Sequence, residues 1–171
     1  QAFAAIADHY QVKQRLSVDV SYMRQIGGSS LIDRNLPVPV EHADTEWIPN
    51  TYVPFRNANI LGIGVTWAET IEARHVFIGA HEADAASPDC RKAFFAAYNQ
   101  MVATGTCPDH SIQVQTPLID LDKSAIIRRG LELYAPLHLT WSCYQNQEKA
   151  CGRCHSCQLR RRGFRKAGLE D

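Results

Sequence analysis

The sequence has 171 residues, 45% of them apolar, and a formal net charge of zero. That length fits one domain with a core of its own, and zero net charge excludes a global field drawing the chain to nucleic acid or anionic lipid. No apolar run reaches the roughly 18 residues of a membrane span, and no basic-then-apolar leader pattern opens the chain, so a cytoplasmic location with reduced thiols is the expectation.

Residues 2–10, "AFAAIADHY", have helical spacing, with Phe3, Ile6 and Tyr10 on one face. This opening reads as the middle of a helix, and the first residue is Gln1, so further sequence is expected ahead of it. "QRLSVDV" (14–20) alternates as a strand with Leu16, Val18 and Val20 on one side. A short helix should precede "GGSS". Residues 27–54 then form a long irregular stretch with two glycines and four prolines, the kind of loop that tends to be functional or mobile.

A largely buried helix is predicted from Asn57 to about Ala73, interrupted in composition by two glycines. "HVFIGA" (75–80) reads as a buried parallel strand. A helix over "SPDCRKAFFAAYNQMVATG" should begin with Ser87 as cap and Pro88 at the first helical position, and end at Gly105. "SIQVQTPL" (111–118) alternates as a strand. "DKSAIIRRGLELY" follows as an amphipathic helix with Asp122 as its cap. A last short helix is expected from Leu159 to Ala167, closed by Gly168.

This alternation argues for a single α/β domain over residues 1–171, with a parallel sheet and right-handed crossovers. Ligands in such sheets bind beyond the carboxyl ends of the strands. Residues 79–84, the helix start at Ser87, and residues 116–123 should therefore border one crevice.

Four of the six cysteines fall close together: Cys143, Cys151, Cys154 and Cys157. The pattern C-x7-C-x2-C-x2-C, within a segment 143–157, suits a tetrahedral zinc site, and x2 gaps let backbone amides fold around the metal. Gly152 in "CGRC" permits a left-handed turn there. Disulfides, an iron–sulfur cluster and His155 in place of one cysteine are the alternatives. Cys107 reads as incidental. Cys90, in the first turn of a predicted helix, is placed for a lowered pKa or for simple packing. Residues 153–166 hold six cations (Arg153, Arg160, Arg161, Arg162, Arg165 and Lys166) and no acid. The run 160–162 reads as a solvated helix face more readily than as a nucleic-acid hook.

Several segments, in order, resemble the 7-cyano-7-deazaguanine synthases, the QueC family of queuosine and archaeosine precursor synthesis. They are "IPNTYVPFRNANIL", "SPDCRKAF", "TPLIDLDKSAII", "TWSCY", "CGRCHSCQLRRRGF" and "AGLED". The resemblance runs from about Ile26 to Asp171. It implies a parallel α/β fold of the Rossmann-like adenine nucleotide alpha hydrolase (pyrophosphate-loop) type. It also implies an ATP-dependent ligase that turns 7-carboxy-7-deazaguanine and ammonia into the nitrile through adenylation of the carboxylate. One zinc would be held by Cys143, Cys151, Cys154 and Cys157, with ATP, accompanied by Mg, as co-substrate. Partners would be small molecules, with no direct nucleic acid and no membrane, and a homodimer is left open.

Two departures stand out. The family's S-G-G-x-D-S pyrophosphate loop is absent, and Gly27–Gly28 follows a helix instead of a strand. The family's S-G-Y-P-D-C-R is here "AASPDCR", without the glycine and the tyrosine. The absent loop, with the uncapped opening helix and the missing initiator, leads to the expectation of a natural chain longer by roughly 40–60 residues, the length of two strands and a helix. The lost first strand would sit near the sheet centre, leaving unpaired backbone groups on two neighbouring strands, and 171 residues alone would not turn over ATP.

No residue is assigned a catalytic role. Arg56 and Lys123, near predicted helix starts, suit phosphate. Asp89 and Arg91 suit the base edge or the carboxylate, and the motif adds Asn57. The bland reading of each is a surface ion pair. Trp141 suits stacking on a purine-like ring or core packing. The zinc would be structural, since four thiolates leave no open position. The rival functions are a zinc-ribbon module binding nucleic acid through residues 160–166, with salt-dependent affinity, and a related pyrophosphate-loop enzyme that modifies tRNA.

Overall fold

A computed structural model of the protein describes residues 1–33, 35–38, 48–81 and 87–171. Part of the long irregular stretch (34 and 39–47), part of the expected crevice rim (82–84) and Ala85 and Ala86 of "AASPDCR" lie outside the described residues. The chain divides into two compact units, Trp47–Asp122 and Gln1–Glu46 with Lys123–Asp171.

The first of these units holds helix α3 (Arg56–Thr70), strand β1 (His75–Phe77), a 3-10 turn (Pro88–Cys90), helix α4 (Lys92–Gly105) and strand β2 (Gln113–Gln115). The strands pair in parallel, with Val76 opposite Val114, as the alternation predicts. Ala58, Leu61, Val65 and Ala68 recur at helical spacing, and this stripe of α3 packs with Phe95, Tyr98 and Val102 of α4 and with Val114. Val76 packs against the same cluster. Phe77, of opposite parity to Val76, is 69% exposed.

Asn99 of α4 closes one edge of this sheet. Its Nδ2 donates to the Val114 carbonyl at 3.0 Å and its Oδ1 accepts the Val114 N–H at 2.8 Å. Those are the β2 groups directed away from β1, so one side chain does what a further strand would do. β1 and β2 pair directly with each other, so a strand missing from between neighbours, as the sequence led us to expect, is not missing between these two.

The predicted helix from Ser87 to Gly105 is broken. Ser87 precedes the 3-10 turn without a side-chain cap bond, and Arg91 is extended (φ −93°, ψ 150°) before α4 begins. The cause is a tertiary bond: the residue 89 carbonyl accepts from Asn57 Nδ2 at 2.9 Å, turning the backbone inward.

The other unit contains α1 (Ala2–His9), α2 (Met23–Ile26), α5 (Lys123–Glu132), a 3-10 turn (Leu137–Leu139) and α6 (His155–Lys166). The strand expected over residues 14–20 is absent. Leu16 and Val18 are 41% and 48% exposed, and local bonds take the place of a ladder. Arg15 folds back on the Val12 carbonyl (3.0 Å) and Asp8 (2.6 Å), and Asp19 accepts the Ser21 N–H (2.7 Å). Alternation is only half of a strand; without a neighbour the backbone solvates or turns.

Helix α6 starts four residues earlier than predicted, with Cys154 as its N-cap residue. It ends as expected. Gly168 and Leu169 donate back to the Arg165 and Phe164 carbonyls, both at 3.0 Å, the bonding of a Schellman cap.

Gly163 lets α6 lie against α5. A Cβ there would fall 2.5 Å from Lys123 Cγ and 3.0 Å from Ile127 Cδ1. Alanine gains about 1 kcal/mol of helix propensity, but overpacking typically costs about 1–3 kcal/mol. The clash falls near the root of the lysine, where the side chain cannot swing away, so Gly163→Ala is expected to lower stability by about 1 kcal/mol. Urea unfolding checks this, and a stabilised variant would refute it.

Candidate functional site

Two arrangements stand out, one in each unit. In the unit built on β1 and β2, α3 begins at Arg56 behind Phe55, whose φ of 54° is left-handed, a costly position for a bulky side chain. The Tyr52 hydroxyl accepts the Phe55 N–H at 3.1 Å, and the Phe55 ring meets Phe94 edge-on at 6.2 Å. Behind this turn, Asp89 Oδ2 accepts the Asn57 N–H at 2.9 Å. Asn57 Nδ2 donates to the residue 89 carbonyl and to Cys90 Sγ, at 2.9 and 3.1 Å. Asn57 and Asp89 are both buried. Asp89 therefore places a carboxylate at the helix N-terminus, where orphan amides and the dipole favour negative charge.

Burial pushes the Cys90 thiol up, against the Asn57 hydrogen bond. The cysteine sits in the 3-10 turn ahead of α4, not in the first turn of a helix, so it does not become a low-pKa thiol.

Asn57 and Asp89 are thus brought together, with Arg56 preceding one and Arg91 following the other by two residues. Arg91 is exposed and Arg56 half-buried. Lys92 pairs with Asp120, tying the start of α4 to the segment that leaves β2. Lys123 opens α5 in the other unit, with its stem against the Gly163 position.

The second arrangement is the cysteine cluster. Cys143, Cys151, Cys154 and Cys157 bring their Sγ atoms within 4.8 Å of one another, and Cys151 and Cys157 are 4.0 Å apart. A disulfide needs about 2.05 Å, whereas metal–thiolate bonds of about 2.3 Å in a tetrahedron put sulfurs about 3.8 Å apart. The spacing fits a metal, and all four cysteines are free.

Backbone amides complete the cradle. Asn146 and Cys151 donate to Cys143 Sγ at 3.3 and 3.4 Å, and Cys154 donates to Cys151 Sγ at 3.3 Å. Burial raises the Cys143 thiol, but the amides of Cys151, Asn146 and Gln145 outweigh it and bring it down to about 6. Cys151 is lowered by the Arg153 and Cys154 amides. Cys157 is pushed up to about 12 by burial, against the Gly152 amide. Without an ion the cluster cannot hold four negative sulfurs; a bound cation replaces the protons. Gly152 takes φ +73°, the left-handed turn predicted in "CGRC".

Two residues take other parts than the sequence suggests. Trp141 directs its indole N–H to the Asn146 carbonyl at 3.2 Å, so it braces the cysteine loop. Arg160 is not a solvated side chain: it bonds Asp171, Thr140 and Leu137 and lies 5.0 Å over the Phe164 ring. The available signal was its position three residues after Cys157, on the same face of α6.

A family model described as "Queuosine biosynthesis protein QueC" matches residues 1–168. The chain belongs to the QueC family. It is 51% identical over 172 residues to the 7-cyano-7-deazaguanine synthase of Chlorobium phaeobacteroides, covering 100% of this chain and 76% of that relative. The corresponding synthase of Chlorobium chlorochromatii is 50% identical over 171 residues, covering 99% of this chain and 75% of the relative. That of Chlorobaculum parvum is 49% identical over 173 residues, covering 100% and 76%. Among the described residues no helix is long and apolar enough to cross a membrane.

Proposed function

We propose that the protein is an ATP-dependent ligase forming 7-cyano-7-deazaguanine from 7-carboxy-7-deazaguanine and ammonia, in the cytoplasm, as a step of queuosine biosynthesis. The observation that carries this reading is the family membership over residues 1–168. Converting an acid to a nitrile removes oxygen twice. Carboxylate oxygen leaves poorly, so each removal needs activation, and adenylation by ATP with Mg supplies it.

The chain's own residues would bind, orient and balance charge. Arg56 in one unit and Lys123 in the other each open a helix, a position that favours phosphate and charge on departing pyrophosphate. Arg91 would meet the substrate carboxylate. Asn57 and Asp89 would hold the turn from which Arg56 and Arg91 project. Cys143, Cys151, Cys154 and Cys157 would hold one zinc, which when bound supplies a tetrahedral crosslink and no open coordination position.

The nucleic-acid reading is disfavoured by Arg160, whose guanidinium is committed to Asp171 and Thr140, and by Arg161, which donates to the Gly152 carbonyl at 3.3 Å.

We also propose that the 171 residues alone do not turn over ATP, because the amides of a glycine-rich loop normally cradle the phosphates. The test assays AMP and nitrile formation by the chain alone and by the chain fused to the unmatched quarter of the Chlorobium phaeobacteroides relative. Product from the fusion only is expected. Product from the chain alone would refute its inactivity, and none from either would refute the assigned reaction.

A further inference from the structure

Three of the four clustered cysteines, Cys151, Cys154 and Cys157, lie within seven residues of chain, and Cys157 is in the first turn of α6. Their mutual placement is local. Cys143 is different. It is joined to Cys151 by residues 144–150, all of them exposed; the Asn146 and Cys151 amides hold its sulfur from that side, and the segment that precedes it supplies the tie to α6. That segment, residues 137–140, carries a 3-10 turn and then Thr140, extended at φ −81°, ψ 151°.

Arg160 of α6 reaches it. Arg160 Nη1 donates to Thr140 Oγ1 at 2.7 Å and to the Thr140 carbonyl at 3.4 Å, and Nη2 donates to the Leu137 carbonyl at 3.4 Å. The Thr140 hydroxyl in turn donates to the Leu137 carbonyl at 2.6 Å, so its oxygen is oriented to accept. The guanidinium is itself held from behind. Nε donates to both oxygens of Asp171, at 2.7 and 2.8 Å, and the group stacks over Phe164. The Arg160 and Asp171 side chains are only 21% and 23% exposed. A planar fork with donors on three sides makes this set of contacts; a lysine point charge cannot.

We infer that Arg160 is a positioning residue for the metal centre: it holds the Cys143 arm against α6 and so presents the fourth thiolate to the other three. This rests on the zinc reading above. Arg160 touches none of the sulfurs; it acts through Thr140, three residues before Cys143. Removing it leaves a site whose fourth ligand must be captured by a looser segment at an entropic cost.

The test compares wild type with Arg160→Ala, Arg160→Lys, Thr140→Val and the exposed Arg162→Ala. Zinc content, zinc transfer to a chromogenic chelator, and alkylation of each cysteine read by mass spectrometry are measured on the full chain. Loss of a partner in the outer shell typically weakens a metal site 10–100-fold. Arg160→Ala is therefore expected to release zinc about tenfold faster or more, with added alkylation concentrated on Cys143. Arg160→Lys and Thr140→Val should shift both readouts the same way by less, and Arg162→Ala not at all. Wild-type release and alkylation in Arg160→Ala, even with a lowered Tm, would overturn the inference. If that variant does not fold, Thr140→Val decides, and wild-type behaviour there overturns it. A wild-type chain without an equivalent of zinc would overturn the zinc reading and this inference together.

Discussion

Cys154→Ser is expected to lose stoichiometric zinc and to lower the melting temperature by about 10 °C. Cys154 is the most enclosed of the four clustered cysteines, with no exposed surface, and it is also the N-cap residue of α6. Serine keeps the shape but not the thiolate. Structural zinc sites contribute apparent binding free energies of about 10–16 kcal/mol in small domains, so even partial loss of the site outweighs any single packing contact in the segment. Taking about 4 kcal/mol as the part lost, and about 2–4 °C per kcal/mol for a chain of this size, gives a fall of about 8–16 °C. Hydrogen exchange should show the loss in residues 143–157 and in α6. Metal analysis and calorimetry together check the claim. A variant that melts like wild type with its zinc intact would refute a structural role for this ligand. Iron in the purified protein would refute the assignment of the metal.

The second large effect is expected at the buried pair in the other unit. Asp89→Ala removes the acceptor for the Asn57 N–H, leaving a buried donor at the start of α3 without its carboxylate. Leaving a buried donor unsatisfied costs about 1–3 kcal/mol, and the lost acceptor here is charged, which puts the cost in the upper part of that range. Asp89→Ala should therefore cost about 2–3 kcal/mol. Asn57→Ala, which loses its side-chain bonds to the residue 89 carbonyl and to Cys90, should cost a similar amount. Each side chain bonds the other residue's backbone, which the other substitution leaves in place, so coupling arises only if losing one bond loosens the shared turn and weakens the second; on that ground the double variant should cost less than the sum by about 1 kcal/mol. Urea denaturation of the four species measures it. Additive losses would show that the two residues do not act as one lock.

The sequence by itself determined a good deal. The cysteine spacing picked out the four thiols that cluster and could hold a metal, because x2 gaps bring Cys151, Cys154 and Cys157 together through local backbone geometry. Helical periodicity placed α1, α3, α5 and the body of α4 within a few residues, since burying a stripe is a local pattern. The parallel pairing followed from alternation, because a crossover helix leaves few other ways to return. The motif combination placed the chain in its family.

Tertiary structure decided the rest. Residues 14–20 alternate like a strand, yet only a neighbouring strand can turn alternation into one, and Arg15 and Asp19 supply local bonds instead. The helix expected from Ser87 breaks at Arg91 because Asn57, more than thirty residues away, claims the carbonyl of residue 89. Asn99 looks like any polar residue on a helix until β2 is found beside it. Arg160 reads as one cation in a basic run, and only the return of residues 137–140 to α6 makes it a clamp. In the last three cases the deciding bond joins residues distant in sequence, and in the first it is the distant neighbour strand that is not there; a one-dimensional pattern carries no record of which distant partner will be present.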